Sequence, residues 1–155
     1  MTEDNYQIKK IEMEKLQEAL SLVWKVFLKF EAPDYAPEGV EEFKRFIEYD
    51  AIKEKLEKSE LLMLGCFSDE ALLGVIAFRN PCHISMLFVD EKHHKKGIAR
   101  RLFNEMLEHY NGKCDTVTVN SSPYAVEIYK KFGFVETDAE QTVNGIRFIP
   151  MVKKL

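Results

Sequence analysis

The spacing of apolar residues changes near Ser59, from helical steps to short continuous runs. Before it, Leu16, Leu20, Val23, Phe27 and Phe30 recur at steps of four and three, which predicts an amphipathic helix over Glu14 to Phe30 with Trp24 beside the stripe. Upstream, Tyr6, Ile8 and Ile11 alternate imperfectly and predict a first strand over Tyr6 to Glu12. The stretch Glu31 to Gly39 holds two prolines and a glycine, so it breaks the helix and forms a loop before a second helix near Gly39. Val40, Phe43, Phe46 and Ile47 make the stripe of that helix, and Ile52 to Lys58 predicts a further charged turn or short helix.

After Ser59, the runs Leu61 to Phe67, Ala71 to Arg79 and Ile84 to Val89 are separated by turn residues and predict three consecutive antiparallel strands. Ile98, Leu102, Met106 and Tyr110 return at steps of four, a helix over Gly97 to Tyr110 that Asn111-Gly112 stops. Thr116 to Val119 is the next strand. Ser122-Pro123 matches an N-cap followed by proline at the first helical position, opening a helix through Ala125, Val126, Tyr129 and Phe132 to Gly133. Phe134 to Val143 and Ile146 to Val152 then pair across Asn144-Gly145, the strongest short hairpin signal there is. The order implies an α+β fold, a mixed sheet with helices packed on it.

Length and composition add limits. The 155 residues, 46% hydrophobic and 31% charged, suit one globular domain over residues 1–155. Met1 to Lys10 is polar, with no apolar signal core, and no apolar run approaches membrane-spanning length; a cytoplasmic protein without a membrane partner is expected. Cys66, Cys82 and Cys114 are scattered without Cys-x-x-Cys spacing, so reduced thiols and no zinc are expected, with Cys66 in a strand core. A formal charge of −4 argues against nucleic acid as a partner. Its distribution says more. Glu31 to Glu60 holds ten acidic against five basic residues, whereas Lys92 to Arg101 holds Lys92, Lys95, Lys96, Arg100 and Arg101 with no acid. One region favours cations and one short loop favours anions.

That basic loop lies between a buried strand ending at Val89 and a helix beginning near Gly97. The first turn of a helix leaves backbone N–H groups unpaired at its positive dipole end. Gly97 and Ala99 let the backbone approach an anion, and Lys95, Lys96 and Arg100 add charge. Taken alone, the segment is equally a solvated basic helix start.

The run His94-Lys-Lys-Gly97-Ile98-Ala99 resembles the Arg/Gln-x-x-Gly-x-Gly/Ala signature of the GNAT superfamily of acyl-CoA-dependent N-acyltransferases. Val119-Asn120 through Ala125, Tyr129 and Gly133-Phe134 resembles the later block of the same family. His94 replaces the usual Arg or Gln, and Ala99 the more frequent Gly. The resemblance implies a GNAT-like fold: a central mixed, mostly antiparallel sheet of about six to seven strands flanked by about four helices, with the fourth and fifth strands splayed. It implies acetyl-CoA as cosubstrate. Backbone groups of Phe88 and Val89 would bond the pantetheine amides, the N–H groups of His94, Lys95, Lys96, Gly97, Ile98, Ala99 and Arg100 would hold the pyrophosphate, and Asn120 would bond the cofactor arm. Tyr129 matches the family tyrosine beside the thioester sulfur and would act as general acid, with the Val89 N–H as oxyanion donor.

The acceptor side is less constrained. His83, at the start of a strand, is a candidate base and is equally an exposed strand-end histidine. Glu31 could take the amine proton or bind a cationic acceptor; Asp34 and Tyr35, on the same loop, are candidate acceptor-binding residues. The expected reaction is direct attack of a primary amine on acetyl-CoA in a ternary complex, the acceptor being a small cationic molecule rather than a peptide. A catalytically silent acyl-CoA sensor is the alternative. His93-His94 lacks a third ligand, so no metal is expected, and neither P-loop nor Rossmann spacing occurs. Edge strands near the C-terminus offer a surface for a homodimer.

Overall fold

A computed structural model describes residues 5–155; Met1 to Asp4, the start of the polar N-terminal stretch, lie outside the described residues. The order is β1 (Tyr6–Lys10), α1 (Met13–Phe30), α2 (Pro37–Phe46), α3 (Tyr49–Glu57), β2 (Leu61–Ser68), β3 (Ala71–Arg79), β4 (His83–Val89), α4 (Ile98–His109), β5 (Thr116–Ser121), α5 (Val126–Lys131), β6 (Val135–Glu136), β7 (Gln141–Val143) and β8 (Ile146–Lys154). Short 3-10 turns at Ala32–Asp34, Glu91–His93 and Pro123–Ala125 lie in three of the loops. The helix predicted near Gly39 starts earlier, with Pro37 in its first turn, where a missing N–H costs nothing.

The strands form one eight-stranded sheet in the order β1-β2-β3-β4-β5-β8-β6, with β7 also on β8. All pairs are antiparallel except β4 with β5. Alternating side chains feed two cores. Met63, Val75, Ala77, Met86 and Phe88 face α1 to α3, while Leu64, Ile76, Phe78, Ile84 and Val89 face α4 and α5. On β4 this alternation slips: Ile84 and Met86, two apart, lie on opposite faces. The cause is a bulge, since Ala77 pairs with Met86 but the adjacent Phe78 pairs with Ile84, leaving Ser85 without a partner on β3. An extra residue bends a strand and reverses its side-chain parity.

That bend shapes the site. Parallel pairing with β5 covers only His83 with Thr118 and Ile84 with Val119, below the bulge. From Ser85 to Val89, β4 has no β5 partner, so the two strands part towards their C-terminal ends. The long hairpin predicted after Phe134 is broken into β6 and β7, because the Asp138 carboxylate accepts from the Ala139 N–H at 2.8 Å and turns the chain between them. Asn144 and Gly145 sit at φ 52° and 81°, as the tight turn requires.

The expectation of reduced cysteines is corrected: Cys82 and Cys114 form a disulfide, and Cys66 alone is free and buried. Distance along the chain hid the pair, because α4 returns the chain beside the β3–β4 turn and brings the two Cα atoms to 6.1 Å. The bond joins the closed end of the parted strands. Closing a 32-residue separation corresponds to about 3–4 kcal/mol of denatured-state entropy. Reduction should lower the urea midpoint accordingly, and a Cys82→Ser, Cys114→Ser double variant should be insensitive to reductant.

Candidate active site

Ladder geometry decides which backbone groups face the gap. The Asp90 N–H donates to the Leu73 carbonyl at 2.8 Å, and the register pairs Val89 with Gly74 and Phe88 with Val75. Hydrogen-bonded and non-hydrogen-bonded pairs alternate in an antiparallel ladder. Phe88 therefore turns its backbone to β3, whereas Val89 and Leu87 turn theirs into the gap. On β5 the Thr118 N–H donates to the Cys82 carbonyl at 3.1 Å. Asn120, two residues on, also points its backbone away from β8, opposite Pro150.

Beyond the open end of the gap lies the basic loop. The first amides of α4 have no intrahelical acceptor, and among the described residues no carbonyl accepts from Lys95, Lys96, Gly97, Ile98, Ala99 or Arg100. Lys95 at φ 63° and Gly97 at φ 78° turn this run into a concave nest of N–H groups. A Cβ at Gly97 would meet nothing within 4 Å, so open space for an anion lies there. Lys95 and Lys96 are exposed, while Arg100 stacks over Phe132 at 4.9 Å and donates to the Lys131 carbonyl at 3.1 Å. Because left-handed backbone costs an L-residue about 1–2 kcal/mol, Gly97→Ala should weaken acetyl-CoA binding about tenfold by titration calorimetry. An unchanged affinity would remove the nest from the site.

On the α1 side of the gap, Phe30 lies 5.0 Å from the His94 ring and 5.1 Å from Tyr124, spanning from the loop after β4 to the turn after β5. The next residue, Glu31, is the electrostatic centre. Burial pushes its carboxyl up to about 7; a hydrogen bond from Ser122 opposes this and the charge of Asp34 adds to it. Burial first, and then the Glu31 charge, raise the phenols of Tyr35, Tyr124 and Tyr129. Tyr129, only 5% exposed, meets Phe132 and Phe134 edge-on and stays protonated throughout the physiological range.

The β7–β8 hairpin closes the far side. Arg147, paired with Glu140, donates to the Asp34 carbonyl at 3.0 Å. Gly39 and Gly145 meet backbone to backbone, and a Cβ on Gly39 would overlap the Gly145 carbonyl. Asp34 and Tyr35 thus stand together with Glu31 at the rim. His83 lies apart, at the closed end, with Nδ1 2.8 Å from the Thr118 hydroxyl and its imidazole pushed down to about 4 by burial and the nearby Arg79. Among the described residues, no His, Cys, Asp and Glu cluster is suited to a metal, and no helix is long and apolar enough to cross a membrane.

Sequence reasoning missed Leu87, Ser122, Tyr124 and Phe30. Ser122 carried a signal only as an N-cap, a role it keeps by accepting from the Ala125 N–H at 3.3 Å. Phe30 reads as one more member of the α1 stripe, and nothing in the apolar run of β4 marks which backbone groups turn outward.

The model of the acetyltransferase (GNAT) domain family matches residues 31–155. Among solved structures, a GCN5-related N-acetyltransferase from Rhodopseudomonas palustris has a TM-score of 0.83 at 18% identity, covering 100% of this chain and 99% of that one. The PaiA N-acetyltransferase of Thermoplasma acidophilum, in complex with coenzyme A, has 0.81 at 20% identity, covering 97% and 99%. Spermidine N-acetyltransferase from Vibrio cholerae, in complex with CoA and spermine, has 0.66 at 17%, covering 98% and 96%.

Proposed function

The chain belongs to the GNAT acetyltransferase family, and we propose that it moves an acetyl group from acetyl-CoA to the primary amine of a small cationic molecule by direct attack in a ternary complex. The observation that carries this reading is the run of unpartnered amides from Lys95 to Arg100 at the open end of the β4–β5 gap. An amide nest at a helix start suits a diphosphate. The parted strands suit an amide-bearing arm, which would bond Leu87 and Val89 on one side and Asn120 on the other.

Four things have to happen for the transfer. The amine arrives as a cation, and the acidic rim of Glu31 and Asp34 attracts it. Glu31, raised to about 7, is poised to take its proton near neutrality. The gap-facing Val89 N–H stabilises negative charge developing on the thioester carbonyl oxygen. Tyr129 donates its phenolic proton to the departing sulfur and would be restored by the proton that Glu31 gained; Glu31, a carboxylate again, then takes the second proton from the acylated nitrogen and releases it to solvent. We assign the base role to Glu31 rather than His83, because an imidazole pushed down to about 4 and bonded to Thr118 accepts protons poorly at neutral pH. Support for a cationic acceptor comes from the acidic rim and from the spermine bound to the Vibrio cholerae enzyme.

The test is an acceptor screen that follows free coenzyme A thiol with polyamines, aminoglycosides, amino acids and peptides. Polyamines or other small cationic amines should stimulate release; peptide-only stimulation would overturn the acceptor class. A homodimer formed through the C-terminal strands is part of this proposal, and chromatographic sizing checks the assembly.

A further inference from the structure

His94 stands where the family signature has Arg or Gln, and its side chain makes a contact that the sequence does not reveal. Its Nε2 lies 2.7 Å from the Val89 carbonyl. A carbonyl only accepts, so Nε2 carries the proton and donates. The Val89–Asp90 peptide is thereby held at both ends, because its amide donates to the Leu73 carbonyl at 2.8 Å. The ring also packs against Phe30 at 5.0 Å.

This contact sits at a boundary in the loop. Before it, the chain is tied down: His93 and His94 donate through their backbones to Asp90 and Glu91, and Lys25 and Lys29 pair with Asp90 and Glu91. After it, the amides from Lys95 to Arg100 have no carbonyl partner among the described residues, and the backbone enters left-handed conformations at Lys95 and Gly97. His94 is the last anchored residue before the nest. Its anchor is the residue whose own N–H faces the gap.

We infer that His94 is a positioning residue that locks the amide nest onto the end of β4 through its ring, so that diphosphate and thioester sites are held in one fixed relation. The inference rests on reading the nest as the coenzyme A site. A loop ordered before binding gives up less entropy on binding, and this raises affinity without touching the reacting atoms. The imidazole reaches back to the strand, so the signature tolerates His here.

The experiment compares wild type, His94→Ala and His94→Gln with two donors, acetyl-CoA and S-acetylpantetheine, which lacks the diphosphate. We expect His94→Ala to raise the acetyl-CoA Kd and KM about tenfold, with kcat at saturation within about twofold of wild type. With S-acetylpantetheine, kcat/KM should stay within about twofold, because the nest has nothing to hold. His94→Gln, which can donate to the same carbonyl, should return acetyl-CoA affinity to within about threefold of wild type. Equal losses with both donors, or an unchanged acetyl-CoA Kd in His94→Ala, overturn the positioning role while leaving the coenzyme A reading intact. If wild type itself fails to bind acetyl-CoA, the coenzyme A reading falls and this inference with it.

Discussion

Replacing Tyr129 with Phe should lower turnover at saturating substrates by about a hundredfold or more, the usual range for losing a general acid, while acetyl-CoA binds with unchanged Kd. The phenol is well suited to this loss and to little else. Burial and the neighbouring Glu31 hold its proton on, so it is a donor across the working pH range. Its ring fills an apolar position against Phe132 and Phe134, and Phe keeps that packing. Fold and donor binding should therefore survive, and steady-state kinetics beside calorimetry separate the effects. Unchanged turnover would remove the acid assignment. A wild-type protein that binds acetyl-CoA but shows no amine-dependent turnover would instead favour a silent sensor.

The second large effect falls on Glu31. A general base works when deprotonated, so kcat/KM should rise with pH through about 7, the position to which burial and Asp34 bring this carboxyl. Glu31→Gln should reduce kcat/KM at pH 8 by about two orders of magnitude and abolish that limb. Groups around the carboxyl constrain the interpretation. Asp34 lies on its own loop, Tyr35 follows, and Ser122, Tyr124 and Tyr129 face it from the turn after β5 and from α5. The tyrosines are all raised, so none supplies a limb near neutrality. A limb that persists in Glu31→Gln would point to another base.

Much of this architecture is legible in the amino-acid order because single elements carry it. The α1 stripe from Leu16 to Phe30 has one periodicity and no competing reading, and Asn144-Gly145 supplies the positive φ values that a tight hairpin needs. The geometry on which the proposed donor site rests is legible for the same reason. A strand end, a glycine with positive φ and the first turn of a helix are adjacent along the chain, so local chemistry suffices to place them.

What stays hidden is non-local. The bulge at Ser85 lies in a strand buried on both faces, Ile84 and Val89 in one core and Met86 and Phe88 in the other, so the polarity pattern does not expose the slip. Cys82 and Cys114 meet only because α4 folds back. The Glu31 carboxyl is raised by burial and by its own loop neighbour Asp34, against a hydrogen bond from Ser122 about ninety positions along the chain. The proposed acceptor residues belong to a loop whose environment is assembled from several elements.

Amide hydrogen exchange with and without acetyl-CoA reads the proposed site at its own atoms, since backbone N–H groups are the proposed principal donors to the ligand. Protection should rise at Lys95 to Arg100, at Leu87 and Val89, and at Asn120, with the groove lined by Tyr6, Arg101 and Glu105 unaffected. Protection confined to that groove, or no change at Lys95 to Arg100 under saturating ligand, would contradict it.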